Sequence, residues 1–455
     1  MTSKPRKQIH LAAHFPGVNN TTVWADPASK SQVEFASFEH LARTAERGLF
    51  DFFFLAEGLR LREHLGRVHD LDVVGRPDTF TVLNAVAAVT ERLGLAGTIN
   101  STYNEPFELA KQFAALDHLS GGRAAWNVVT SSDAFTGENF RRGGYLEHGA
   151  RYQRAAEVVE ATRKLWDSWP TDALVIDRTR GVFAREIPET SYRSPQFDIR
   201  SPFVVPPSPQ RHPVLLQAGD SDEGREFGAK TADAIFTAHG TLEAGQRFYA
   251  DIKGRLAKYG RTPEELLVFP AATFVLGDSA AEAHERARHI RYQQVSPATA
   301  IAFLEQVWGR ELSGYDPDGP LPDVEPDPAT EITRGRVRHT KDPLAVARAW
   351  RERAEADDLS IRELVIEVTA RQQFVGTPAE VADQIDHYVQ SDAADGFILV
   401  PHLTPGGLDE FVDKVVPELQ DRGSFRTAYT GTTLRDHLGL RHPRHRTVTE
   451  GARAS

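Results

Sequence analysis

The sequence predicts an α/β fold in which eight parallel strands and their helices close into one (β/α)8 barrel. Three observations carry that expectation. Eight short apolar runs of β type are spread over the 455 residues. Between them, apolar residues recur at helical spacing, an alternation that points to a parallel sheet. Eight is also the number that closes a barrel. An open doubly wound sheet would alternate in the same way, but no GxGxxG follows the first run and no P-loop is present.

In chain order the β-type runs are IHLAAHF (9–15), FDFFFLAEG (50–58), LGLAGTIN (93–100), RAAWNVVTS (123–131), PVLLQAG (213–219), AIFTAHG (234–240), LLVFPAATFVLG (266–277) and GFILVPHL (396–403). Helical spacing is clear in Phe35, Phe38, Leu41, Ala42 and Ala45, and again in Ala155, Val158, Val159, Thr162 and Leu165. Pro106 and Pro378 sit near helix starts, where a missing N–H costs nothing. Gly48, Gly260 and Gly423 read as helix stops. Two stretches break the alternation: 170–212, rich in Pro, Arg and Ser, after the fourth helix, and 290–375, which contains the acidic, proline-rich YDPDGPLPDVEPDPATE. Both are expected to be insertions that cover the active face or build subunit contacts. The expected organisation is one barrel domain over 1–430 and a basic tail over 431–455.

A formal net charge of −11 argues against a nucleic-acid or anionic-membrane partner. Cysteine is absent, which excludes disulfides, thiolate catalysis, iron–sulfur clusters and Cys-ligated zinc. The apolar stretch near the N-terminus is short and holds His10 and His14, unlike a secretory signal, and no window has the length of a membrane-spanning helix. A cytoplasmic protein is expected.

The active face of such a barrel lies at the carboxyl ends of the strands. The residues there are His14, Glu57, NSTYNEP (100–106), NVVTSSD (127–133), GDSDEG (219–224) and His239. They include no nucleophile–base pair at a familiar spacing, no GxSxG elbow and no HExxH or other metal pattern, so no metal is expected. The set suits hydrogen bonding to a bound organic cofactor. Ser221 can cap a helix whose first amides would hold a phosphate, although plain capping needs no ligand and Asp220 disfavours an anion. His148, Arg151 and Tyr152 open another helix and could reach a phosphate or a ring edge, or form a solvated first turn. Glu57 could face a ligand or pair with Arg60 or Arg62. His14 and His239 are candidates for acid–base chemistry or for structural hydrogen bonds. The tail histidines 437, 442 and 445 form only a weak metal tract.

LDHLSGGRAAWNVVTS (116–131), preceded by NEPFELAKQFAA (104–115), resembles the nitrilotriacetate monooxygenase large-component family of the bacterial luciferase-like flavin enzymes. FDFFFLAEGLRLREH (50–64), DLDVVGRPDTFTVL (70–83), SSDAFTGENFRRGG (131–144), VLLQAGDSDEGREF (214–227) and VPHLTPGGLDEFVDKVVPELQDRG (400–423) extend the resemblance over nearly the whole chain, nearest to the branch that holds the pristinamycin IIA synthase large subunit. It implies a luciferase-like barrel that takes reduced FMN from a separate NAD(P)H:FMN reductase and uses O2 as co-substrate. It implies a small-molecule substrate, in some relatives a small partner subunit, and a homodimer or homotetramer. It also implies a flavin site of Glu57, Ser101, Thr102, Tyr103, Asn127, His148, Tyr152, Asp220 and Ser221, with Tyr152 and Ser221 toward the phosphate. Many relatives have Asp in place of Glu57 and Ser in place of Asp220. Arg141 and Arg142 could attract the FMN phosphate or an acidic substrate, or face solvent or another subunit. The relatives' reactions include dehydrogenation of a ring C–N bond in antibiotic biosynthesis, N-dealkylation and sulfur oxidation. The competing expectations are deazaflavin-dependent hydride transfer on the same barrel and a non-catalytic flavin-binding subunit.

Overall fold

A computed structural model describes residues 6–17, 21–68, 75–131, 134–140, 148–170, 172–330, 332–334, 342–369 and 373–443. The eight β-type runs become eight barrel strands: β1 (His10–His14), β2 (Phe52–Leu55), β3 (Gly94–Asn100), β4 (Ala124–Val129), β5 (Val214–Gln217), β6 (Ala234–Thr237), β7 (Leu267–Leu276) and β8 (Gly396–Leu399). All neighbours pair in parallel, from β6 through β5, β4, β3, β2 and β1 to β8 and β7, and β7 pairs back with β6. The ring is therefore closed, and the open-sheet alternative falls away.

Strand parity sorts the side chains. Ala12, Phe52, Phe54, Ala96, Ala125, Val214, Leu216, Ala234, Phe269 and Ile398 point inward and form one cluster. The alternate set, including Leu11, Phe53, Leu95 and Leu399, packs outward under the helices. Those helices are α1 (Phe35–Arg47), α2 (Thr79–Ala87), α3 (Pro106–Leu119), α4 (His148–Trp166), α5 (Asp222–Thr231), α6 (Leu242–Arg255), α7 (Pro378–Gln390) and α8 (Asp409–Asp421). Burial on both faces explains why the strands read as continuous apolar runs. Among the described residues no helix is long and apolar enough to cross a membrane.

The amino end of the barrel is filled from the C-terminal side. Leu434, Leu438 and Leu440, which lie in the stretch expected as tail, join the inward-facing cluster. Arg435 holds Asp233 at 2.9 Å and the carbonyl of His212 at 2.9 Å. Much of GGRAAWNVVTS also serves this end. Gly122 has φ +94°, and a Cβ there would lie 2.8 Å from Thr433. The buried Arg123 guanidinium donates to the carbonyls of Ala87, Thr90, Leu93 and Ser120.

The two insertions behave differently. Residues 172–212 form two antiparallel hairpins whose Tyr192, Phe197 and Phe203 pack with α3 and α4 on the outside. The second insertion has its own core around Leu304, Trp308, Ile361 and Val365. It reaches the loop after β2, where Thr333–Arg334 pairs with Glu63–His64. His64 binds both Glu305 and, at 2.8 Å, Thr333. Glu138 joins Arg60 (2.7 Å) to Arg334 (3.0 Å). The chain returns through Gln373–Gly376, a ninth strand parallel to the outer half of β7.

Candidate active site

The mouth is built most tightly after β3. Asn100 is buried at the strand end, and its Oδ1 accepts from the amides of Thr102 (2.6 Å) and Tyr103 (3.2 Å). Its Nδ2 donates to Ser131 Oγ at 2.6 Å. Ser101 Oγ donates to the Val129 carbonyl at 3.0 Å, and Thr102 Oγ1 accepts from the Ser131 amide at 3.1 Å. Both hydroxyls are thus held by the end of β4. Tyr103 is half-buried and stacks on Phe140, with ring centroids 4.4 Å apart and planes 4° from parallel.

Arg154, from α4, locks this loop from beneath. It is fully buried, and its Nε donates to the carbonyls of Ser101 (3.1 Å) and Thr102 (2.9 Å), its Nη2 to Asn104 (3.1 Å). The guanidinium lies 4.6 Å from the Phe197 ring centroid. A charged donor spread over several carbonyls fixes the backbone more firmly than neutral bonds would. Sequence reasoning missed Arg154 because an arginine inside a helix normally reads as solvated.

Glu57 follows β2 and accepts the Asn100 amide at 3.0 Å. Burial, with Asp78 adding to it, overcomes that bond and pushes the carboxyl up to about 8. Glu57 is therefore neutral at pH 7. The expected alternative partner Arg60 binds Glu138 instead.

Asn127 and Thr98 face inward from β4 and β3. Asn127 Nδ2 donates to Thr98 Oγ1 at 2.9 Å, while its Oδ1 is buried with no hydrogen-bond partner among the described residues. Such an orphan acceptor is costly unless something meets it. His14 lies beside Phe54, ring centroids 5.3 Å apart, and Phe54 meets Phe236 edge-on at 4.9 Å. An apolar floor thus underlies a polar rim. Sequence reasoning did not single out Thr98; its parity with Ala96 is the signal that places it inward.

A second cradle forms where β5 meets α5. Ser221 caps α5 by accepting the Gly224 amide at 3.1 Å, as its position predicted. A Cβ on Gly219 would lie 2.9 Å from Gly224 Cα and 3.0 Å from the Tyr152 hydroxyl. One on Gly224 would lie 2.9 Å from that hydroxyl. Glycine at both places lets the loop, the first turn of α5 and Tyr152 converge. Asp220 turns to Arg225, 2.9 Å away, which offsets the negative charge that seemed to disfavour an anion here.

The remaining candidates are dispersed. His239 packs on Phe248 of α6, ring centroids 4.6 Å apart, and the Arg225 guanidinium lies 4.9 Å from the same ring. Burial lowers its pKa. The side chain of His148, and all of Arg141 and Arg142, lie outside the described residues. Two groups were not singled out by sequence. His402, after β8, is pushed down to about 4 by burial and by Arg286. Arg76 donates to the Pro16 carbonyl at 3.0 Å, and burial with neighbouring Arg62 lowers it to about 10.

Residues 18–395 match the family described as luciferase-like monooxygenase. The chain belongs to that family. This luciferase-like monooxygenase is 40% identical to the N-acetyl-S-(2-succino)cysteine monooxygenase of Bacillus subtilis (strain 168), over 98% of this chain and 99% of the relative. It is 39% identical to nitrilotriacetate monooxygenase component A of Aminobacter aminovorans, covering 92% and 93%. It is also 39% identical to one subunit of the pristinamycin IIA synthase of Streptomyces pristinaespiralis, covering 97% and 98%. Identity at this even level singles out none of them. Among solved structures, a riboflavin lyase with modified FMN and riboflavin superposes with a TM-score of 0.78 at 27% identity, covering 99% of this chain and 100% of that one. Membership makes the protein a flavin-dependent monooxygenase, and the scarcity of acid–base pairs at its mouth accords with chemistry carried by a cofactor.

Proposed function

We propose that this luciferase-like monooxygenase is the large, oxygenase component of a two-component system. It takes reduced FMN from a separate NAD(P)H:FMN reductase and uses O2 to oxidise a small organic substrate. Bound reduced flavin supplies the electrons and the site at which O2 is activated. The observation that carries the reading is the pairing of an anion cradle with a polar rim on one barrel face. The cradle consists of Ser221, Gly219, Gly224 and Tyr152, suited to a phosphate at a helix N-terminus. The rim consists of Glu57, Asn100, Tyr103 and Asn127, suited to the edge of a heterocycle, and Asn127 Oδ1 is the acceptor left for a ring N–H.

In this reading Glu57, neutral at pH 7, keeps an O–H to donate to a ring carbonyl or nitrogen. The pinned 100–104 loop supplies a flat, rigid bed that is ordered before the ligand arrives, which lowers the entropic cost of binding. The second insertion, tied down through His64 and Glu138, screens the mouth from water. The relatives' names span a cysteine thioether, an aminopolycarboxylate and an antibiotic synthase. They support a small heteroatom-bearing or secondary-metabolite substrate, including oxidation at a C–N bond.

The test is anaerobic titration of the isolated chain with chemically reduced FMN, followed by mixing with O2. Saturable binding and oxygen consumption are expected. Binding without oxygen consumption would favour a hydride-transfer enzyme, and absence of binding would overturn the reading.

A further inference from the structure

At the opposite end of the barrel lies a cavity of about 180 Å³ lined by Arg163, Lys230, Arg261, Arg441, Asp233 and Glu265. It sits among the ends of α4 and α5, the segment entering β7, and the residues that follow the Leu434–Leu440 plug. The volume equals roughly six waters at ~30 Å³ each, too small for an ordinary organic ligand.

Its charge is one-sided. Four cationic side chains line it against two carboxylates. Asp233 is already met by Arg435 at 2.9 Å and by the Leu215 amide at 2.9 Å. Glu265 is engaged at the Thr262 amide, 2.7 Å away. Part of the positive charge has a structural use. Arg261 donates to the Ala229 and Ala232 carbonyls at 2.7 Å each, and Arg163 to the Thr231 carbonyl at 2.7 Å, closing the C-terminus of α5. That use does not extend to Lys230 and Arg441, whose side chains have no hydrogen-bond or ion-pair partner among the described residues. Among the described residues, Arg163 Nε is buried without a partner as well. Helix capping therefore leaves cationic donors around a half-open recess, in a chain whose net charge is −11.

From this juxtaposition we infer that the barrel base carries a binding site for a small divalent oxyanion of the size of phosphate or sulfate, held by Lys230 and Arg441 over Arg163 and Arg261. Because Arg441 follows the plug directly, a bound anion ties the C-terminal segment to α4 and α5. Two charged donors on a multivalent oxyanion give the stronger, charge-assisted class of hydrogen bond.

The test uses the full chain. Phosphate and sulfate are titrated calorimetrically against a chloride control of equal ionic strength, with the double variant Lys230→Ala/Arg441→Ala in parallel. Both residues are exposed, so folding is expected to survive, and Lys230→Arg/Arg441→Lys keeps the charge. Saturable binding to the parent chain, weakened at least about tenfold in the alanine pair and retained in the charge-conserving pair, is the expected result. No saturable heat beyond chloride, or equal affinity in the alanine pair, overturns the site. The second result would place the anion elsewhere, including at Ser221.

Discussion

Glu57 and Asn100 meet across the ends of β2 and β3, where the carboxyl accepts the backbone N–H of Asn100 at 3.0 Å. One bond to a backbone amide does not balance the burial, and the carboxyl rises from 4.5 to about 8. Between those two values the folded chain holds a proton that the unfolded chain has released. Stability from this group is therefore complete below about pH 4.5 and is lost as pH rises through about 8. Glu57→Gln cannot ionise and should flatten that decline. Denaturation at pH 5 and pH 8.5 measures it, and parallel slopes for parent and variant would refute the shift.

Arg154 should matter to both stability and cofactor binding. Arg154→Ala leaves the carbonyls of Ser101, Thr102 and Asn104 without their charged donor. A loss of order 3 kcal/mol is expected in urea denaturation. Arg154→Lys should recover part of it, because a single ammonium cannot span the same carbonyls. A cost under about 0.5 kcal/mol for Arg154→Ala would show that the loop holds itself.

The cradle at α5 predicts a contrast between two glycines. Gly224→Ala would press a methyl against the Tyr152 hydroxyl, at 2.9 Å before any adjustment. It should weaken reduced-FMN binding about tenfold, or ~1.4 kcal/mol. Gly254→Ala meets nothing within 4 Å in the exposed run of α6. It should leave FMN affinity alone and stabilise the helix by about 0.5–1 kcal/mol. Equal FMN affinities in both variants would remove the cradle from the site.

Ser221→Ala should cost about 1 kcal/mol of FMN affinity if the hydroxyl also reaches phosphate. Thr241→Ala removes a comparable cap, from α6, where Thr241 Oγ1 accepts the Ala244 amide at 3.2 Å. It separates the two effects: a loss of thermal stability shared by both, with an affinity loss confined to Ser221→Ala, is the expected outcome.

Leu434→Ala tests the base of the barrel. Leu434 is fully buried, and a Cβ on Gly94 would lie 2.6 Å from its Cδ1. A loss of about 2–5 kcal/mol is expected from the cavity left behind. A near-neutral result would mean that the barrel closes without the C-terminal segment.

The eight strands were legible because each is largely buried on both faces and so forms a mostly apolar run bounded by turns. Asn127 was legible from its place at a strand end, and Ser221 from its place before a helix. Arg154, Arg76 and His402 were not. A charged residue within a helix or loop looks solvated until the elements that bury it are in place. Within GGRAAWNVVTS, the sequence puts Arg123 at the start of the strand and Asn127 toward its end, but only the fold shows that the Arg123 guanidinium ties down the carbonyls of Ala87, Thr90, Leu93 and Ser120.

The sequence by itself determined the alternation of strands and helices, the two insertions, the helix caps and the resemblance that pointed to a flavin, all of which rest on local pattern. Only the tertiary structure decided that β6 meets β7 to close the ring, and that 172–212 packs outside while the second insertion reaches the mouth. It also decided that Glu57 is neutral and that Leu434 seals the base. These depend on which distant side chains exclude water from one another, and burial of that kind exists only once the barrel has closed.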